Sequence, residues 1–307
     1  VYEMQRTMEK SVERLIQKHG LHVSSLEQIG QREYMEDRVD IRVCQNGILV
    51  TLCDGHGGHE CAQYVIENYP SLFESLMTKN TNCIVKQALI GALEAVSAEW
   101  DRKSLGPKYP VTVLQRTKLF KHLNDSDDFR QGGFSSGTTL LVAYLELDKR
   151  EVTLLNLGDS RASWLRNEMI CSTRDHKPTC RDVLNDKRLN RFPIWIEMDD
   201  GIARLNGDLA VGRAIGDNTP TLTGCLSRQP SVYTVQYPDS GLKLILASDG
   251  LWDEADTQDL FDQKQTCHEF IENGTITSDN ISIVYIVDGI NKKTTDKKHD
   301  YTEENKY

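Results

Sequence analysis

The chain has 307 residues, enough to bury a sizeable core as one large domain or two small ones, and no obvious linker divides it, so one domain is expected. Its 36 basic and 46 acidic residues leave a formal charge of -10, which argues against general affinity for nucleic acid or for an anionic membrane surface. Eight cysteines are scattered without a CxxC pair, the pattern of buried free thiols in an intracellular, cytoplasmic and/or nuclear protein and not of a disulfide framework or zinc site.

No apolar run approaches the roughly 18 residues of a membrane span, so no span is expected. Met4, Met8, Val12, Leu15 and Ile16 recur at helical spacing and Gly20 supplies a stop, so residues 1–20 are expected to form an N-terminal packing or docking helix. Glu3, Glu9 and Glu13 argue against a targeting presequence, which is poor in acids. Leu21 to Ile29 is mixed and short. Gly30 to Asp37 reads GQREYMED, which in isolation is a solvated charged loop.

Val39 to Val43 alternates as a strand should, Asn46-Gly47 is a hairpin turn, and the returning strand runs through Val50, Thr51, Leu52 and Cys53 into Asp54-Gly55-His56-Gly57-Gly58. That stretch admits two readings: a glycine-rich turn before a helix, or a site where a carboxylate and an imidazole meet closely approaching backbone. Ala62, Val65, Ile66 and Tyr69 mark a helix face that Pro70 is expected to end, and Val85, Leu89, Leu93, Val96 and Trp100 mark a second helix. Residues 101–134 lose periodicity and read as an exposed insertion loop.

From Thr138 the texture changes to short β-branched runs, 138–147, 152–157 and 162–166, joined by tight turns, which predicts an antiparallel sheet. Residues 174–206 are irregular and read as a long flap. Leu242 to Ala247 is another strand, ending at Ser248-Asp249-Gly250. A short helical segment around Leu260 and Phe270 precedes Ser278-Asp279-Asn280 and a last strand, Ile281 to Val287; the tail from Asn291 is polar and expected to be disordered. There is no GxGxxG and no phosphate-binding GxxxxGK[ST] loop, so nucleotide binding has no support.

One pattern recurs. Asp54-Gly55, Gly158-Asp159 and Asp249-Gly250 each follow an apolar strand, and Asp279-Asn280 precedes one. A single Asp-Gly is most often a turn, but carboxylates converging at one sheet edge repel unless a cation neutralises them. Aspartates are ligands for Mg²⁺ or Mn²⁺, and the histidine and thiolate cluster that zinc requires is absent from the sequence.

GQREYMED at 30–37, DGHGGHECA at 54–62, SGTT at 136–139, NLGDSRA at 156–162, DHKP at 175–178, RLNGDLAVGRAIGD at 204–217, LASDGLWD at 246–253 and DNIS at 279–282 together resemble the metal-dependent protein serine/threonine phosphatases of type 2C, in the family's order. The resemblance implies an α+β fold of two antiparallel β-sheets packed as a sandwich and flanked by α-helices, in α-β-β-α layers, over a catalytic domain at 21–290. It implies two Mg²⁺ or Mn²⁺ ions and a third, weaker one. Asp54 would bridge the two ions with the Gly55 carbonyl as a further ligand, Asp249 and Asp279 would complete the first site, Glu36 would hold the second largely through water, and Asp159 would help hold the third. Arg32 would grip the substrate phosphate and His56 would act as general acid for the leaving group.

The implied activity is hydrolysis of phosphoserine and phosphothreonine in a phosphoprotein, by water activated between two metals and without a phospho-enzyme, in a monomer. The alternative is a catalytically inactive scaffold that binds signalling partners; such a scaffold would be expected to lose carboxylates, and Asp54, Asp249, Asp279 and Glu36 are all present beside Arg32. Departures from the family pattern lie in the flap, where Phe192, Pro193 and Trp195 replace the usual paired glycine, at Gly212 in place of a common serine, and in the short interval from Asp249 to Asp279. They bear on substrate choice and flap position, not on the metal ligands.

Overall fold

Strands buried on both faces must read as continuous apolar runs, and Ile48-Leu49-Val50 or Leu244-Ile245-Leu246 do so because alternate residues enter different cores. The structure is a computed structural model that describes residues 3–4, 10–45, 47–79, 84–105, 135–166, 168–181, 194–218, 222, 225–262, 267 and 277–288. In chain order the first half comprises β1 (Glu3–Met4), α1 (Lys10–His19), β2 (Leu21–Gln28), β3 (Arg38–Cys44), β4 (Gly47–Cys53), β5 (Gly55–His56), α2 (Glu60–Lys79), α3 (Val85–Leu105), β6 (Gly137–Thr138) and β7 (Leu140–Glu146). The second half comprises β8 (Glu151–Leu157), β9 (Arg161–Arg166), β10 (Met169–Ser172), β11 (Ile196–Asp199), β12 (Ile202–Leu205), β13 (Ile215–Gly216), β14 (Ser231–Gln236), β15 (Lys243–Ala247), α4 (Asp249–Trp252), α5 (Thr257–Asp262) and β16 (Ile281–Asp288).

A six-stranded antiparallel sheet of order β1-β2-β16-β15-β9-β10 faces a five-stranded one of order β14-β8-β7-β4-β3. Ile48, Val50, Leu52, Leu141, Ala143 and Leu145 of one sheet meet Ala162, Leu244, Leu246, Val284 and Ile286 of the other between the layers. The opposite residues of the five-stranded sheet, among them Leu49, Cys53, Leu140, Val142 and Tyr144, pack on α2 and α3. Those of the six-stranded sheet, Ile245, Ala247, Ile283 and Tyr285, pack on α4 and α5. The α-β-β-α layering implied by the resemblance is therefore present, with a short third sheet, β13-β6-β5, at one end.

The elements differ from expectation at five places. The helix expected over 1–20 begins at Lys10, and Glu3–Met4 instead pair with Gln28 and Glu27, because the edge of β2 offers backbone hydrogen-bond partners there; Met8 lies outside the described residues. Leu21–Gln28, whose mixed sequence shows no clear period, is a strand that pairs with β16 along its whole length. Pro70 does not end α2 but lies inside it. The lost backbone bond and ring clash cost about 3 kcal/mol; burying Tyr69 and Phe73 on either side offsets this by about 1.5–3 kcal/mol each, with Tyr69 donating to the Leu89 carbonyl of α3 at 3.1 Å. The insertion expected from residue 101 starts later, because α3 continues to Leu105, and 106–134 lie outside the described residues.

The flap expected to be irregular contains the β11–β12 hairpin, turned at Asp200-Gly201 and seated on a separate small core of Leu205, Leu209, Val211, Ala214, Leu222 and Cys225. Residues 182–193, Phe270 and the tail from 291 lie outside the described residues.

Candidate active site

Five chain segments converge at the end of the sandwich where β4, β8 and β15 terminate and β16 begins. Asp54 follows β4, and its backbone is held on both sides: its N–H donates to Thr139 Oγ1 at 3.2 Å, and its carbonyl accepts from Thr139 N–H at 2.9 Å and Thr138 Oγ1 at 3.0 Å. Thr139 Oγ1 also lies 2.8 Å from Ser160 Oγ, which ties Asp54 to the turn carrying Asp159. Asp249 opens α4 directly after β15. Carboxylate oxygens of Asp54, Asp159 and Asp249 all lie within 4.8 Å of one another.

The segment 30–37 is fastened to this cluster by Asn280. Asn280 Nδ2 donates to the carbonyls of Ile29 (2.8 Å) and Tyr34 (3.1 Å), and its Oδ1 accepts from Glu36 N–H at 2.8 Å. Gly30 lies so close to the Asp279 carbonyl that a Cβ there would collide with it. Arg32, 54% exposed, places Nη2 at 2.8 Å from Asp279 Oδ2, and Glu36 Oε1 accepts from Gly58 N–H at 2.7 Å. Gly55 is buried and pairs with Thr138.

The structure thus brings Asp54, Asp159 and Asp249 into one cluster and sets Glu36 and Asp279 at hydrogen-bonding positions beside it. It also adds Asp37, a residue the motif reading passed over although GQREYMED ends on it. Asp37 is buried and its pKa is pushed up to about 7 by desolvation, against the lowering effect of the Ser248 and Ser282 hydroxyls and with a smaller upward push from the charges of Asp249 and Asp279. Asp249 is pushed up to about 7 by desolvation and by Asp159, against the opposing charge of Lys177. Desolvation, followed by Asp37 and Asp249, raises Asp54 well above the ordinary carboxylate range, and Asp159 is likewise raised by desolvation against Lys177.

These residues fit a hard divalent cation. Asp37 Oδ2 and Asp159 Oδ1 are buried with no hydrogen-bond partner among the described residues, and the donors are all oxygens. Cys53, directly before Asp54, offers no thiolate, because burial pushes its pKa up.

His56 sits on β5 with Nε2 at 2.9 Å from both carboxylate oxygens of Asp217. Burial alone would lower the His56 pKa; the charge and hydrogen bond of Asp217 overcome it and the net shift is upward. The pair requires Gly137, since a Cβ there would run into both Asp217 Oδ2 and His56 Nε2. Asp217 was missed as a site residue, although it closes RLNGDLAVGRAIGD and is a further glycine-aspartate step after apolar residues. Next to it, Asn218 donates to Asp101 Oδ1 at 3.1 Å, and Arg228 grips Asp101 with two bonds of 2.6 and 2.8 Å, so the end of α3 braces the Asp217 segment.

Residues 44–298 match the family model described as Protein phosphatase 2C. Probable protein phosphatase 2C 69 of Arabidopsis thaliana is 31% identical over 288 residues, covering 88% of this chain and 70% of that protein. Probable protein phosphatase 2C 14 of the same plant is 28% identical over 235 residues (75% of this chain, 45% of that protein), and protein phosphatase 1B of Mus musculus 31% over 182 residues (56% and 43%). The chain thus spans less than half the length of the latter two relatives. Among solved structures, a serine-threonine phosphatase 2C from Toxoplasma gondii superposes with a TM-score of 0.62 at 18% identity, covering 87% of this chain and 94% of that one. A C. elegans sex determining protein does so with a TM-score of 0.67 at 23% identity, covering 87% and 65%. Both likenesses establish the fold.

The raised carboxylates set a pH signature. Without a cation, the pKa values of Asp37 and Asp249 are pushed up to about 7 in the fold against 3.8 for an unperturbed carboxyl, so their contribution favours folding below 3.8 and is lost as pH rises through about 7. A divalent cation removes that penalty. The melting-temperature gap between samples with Mn²⁺ and with EDTA is expected to widen from about pH 5 to about pH 8; a gap that stays constant or narrows would contradict the assignment.

Proposed function

The chain belongs to the protein phosphatase 2C family, and from that membership together with its carboxylate cluster we propose that it is a metal-dependent protein serine/threonine phosphatase. The observation that carries the proposal is the meeting of Asp54, Asp159 and Asp249 at one strand edge, with buried carboxylate oxygens of Asp37 and Asp159 left without hydrogen bonds among the described residues. A scaffold relieved of catalysis has no reason to keep desolvated carboxylates that repel one another.

Asp54, Asp249 and Asp279, with Glu36, Asp159 and the Gly55 carbonyl, are the residues proposed to hold two Mg²⁺ or Mn²⁺ ions and a third, weaker one. Bound there, divalent cations neutralise the carboxylates and the phosphate and acidify a water to make it nucleophilic near neutral pH. The rest is done by side chains. Arg32, tethered to Asp279 by one N–H and more than half exposed, has further donors in a planar fork suited to phosphate oxygens. The carboxylate of Asp217 raises the His56 pKa against the opposing effect of burial. With Nε2 engaged by that carboxylate, Nδ1 is the atom left to deliver a proton to the departing serine or threonine oxygen, a poor leaving group without one. No chain nucleophile is required, so no phospho-enzyme forms. A phosphoprotein is the proposed substrate.

Purified protein is expected to hydrolyse a phosphothreonine peptide only with added Mn²⁺ or Mg²⁺, and Asp54→Asn to lower kcat/KM by about a hundredfold or more. Turnover that survives EDTA would sink the proposal.

The His56–Asp217 pair makes a separate prediction. His56→Ala is expected to cost about 10²–10⁴-fold on phosphoserine but much less on p-nitrophenyl phosphate, whose leaving group needs no proton, and Asp217→Asn to reproduce that bias more weakly. Equal losses on both substrates would remove His56 as the general acid.

A further inference from the structure

The DHKP motif at 175–178 is not used by the mechanism above, yet it places a cation against the carboxylate cluster. His176 and Lys177 are clamped onto Gly158 and Asp159: His176 N–H donates to the Gly158 carbonyl at 2.9 Å, and Gly158 N–H donates back to His176 Nδ1 at 3.1 Å. The His176 carbonyl in turn accepts from Gly212 N–H at 2.6 Å, so the backbone under Lys177 is fixed from two sides. From there Lys177 Nζ reaches to 2.6 Å from Asp159 Oδ2 and 3.6 Å from Asp249 Oδ2.

We propose that Lys177 is a resident counter-cation for the Asp159–Asp249 corner, and that a divalent cation binding this corner competes with it. The inference rests on the metal-centre reading above and deepens it, because it assigns the weakness of one ion site to a named side chain. An ammonium beside two carboxylates lowers their attraction for a second cation, and Lys177 already takes up Asp159 Oδ2 at 2.6 Å. Lysine suits a displaceable partner: its side chain is 38% exposed here and ends a flexible stem, so it can swing to solvent once another cation takes its place beside the buried Asp159. The neighbouring arginine behaves oppositely. Arg161 holds Asp175 with two bonds of 3.0 and 2.6 Å and lies over the Trp252 ring, a pairing fixed by geometry that leaves Asp175 outside the cluster.

The test is calorimetric titration of Mn²⁺ into the full cation-free chain, for wild type, Lys177→Met and Lys177→Gln. The weakest Mn²⁺ step is expected to tighten at least about tenfold in both neutral variants, the scale on which groups around metal ligands move affinity. In parallel, both variants should melt below wild type in EDTA, where Asp159 has lost its partner, and match it in saturating Mn²⁺. Unchanged Mn²⁺ affinities in both variants would overturn the proposal, as would a melting deficit that persists in saturating Mn²⁺, since that marks a merely structural lysine. Absence of Mn²⁺ binding by wild type and variants alike would instead remove the metal-centre reading itself.

Discussion

Desolvation and mutual repulsion of the aspartates at the end of the sandwich are what the surrounding structure has to accommodate. Asp54, Asp159 and Asp249 share a space less than 5 Å across, and Asp37 is buried against them. Burial raises the pKa of each, and neighbouring aspartates add to it: Asp37, Asp249 and Asp159 at Asp54, Asp159 at Asp249, and Asp249 at Asp37. Such an arrangement persists only if the backbone beneath it is rigid and if positive charge is supplied.

Rigidity comes from the two sheets. Because the strands are apolar on both faces and packed between helices, their ends have little freedom, and three of them deliver a carboxylate to the same edge. Hydrogen bonds then fix the connecting turns: Thr139 holds Asp54 and reaches Ser160, Asn280 pins the 30–37 segment, and His176 pins Gly158. Positive charge within the chain comes from Lys177 beside Asp159 and Asp249, from Arg32 at Asp279 and from Arg228 near Asp217.

Much of this was legible in the sequence, and the parts that were not have physical reasons. The strand runs and the α2 and α3 stripes are read directly from periodicity, and the repeated aspartate-glycine steps after strands point to one edge. The layering is not local information; it came from the ordered motifs. Leu21–Gln28 escaped notice because its polar Ser24 and Ser25 interrupt the pattern, while its partner along the full register, β16, lies more than 250 residues away. Pro70 misled because local propensity was outweighed by the burial of Tyr69 and Phe73. Asp37 and Asp217 sit inside quoted motifs, but only three-dimensional proximity shows one burying a charge beside the cluster and the other holding His56.

The central claim is that the aspartate cluster is a divalent-cation site, and diffraction at the manganese absorption edge from crystals soaked in Mn²⁺ tests it most directly. The account predicts anomalous peaks in contact with oxygens of Asp54 and Asp249. Peaks confined to other parts of the surface, or none at the cluster under saturating Mn²⁺, would contradict it.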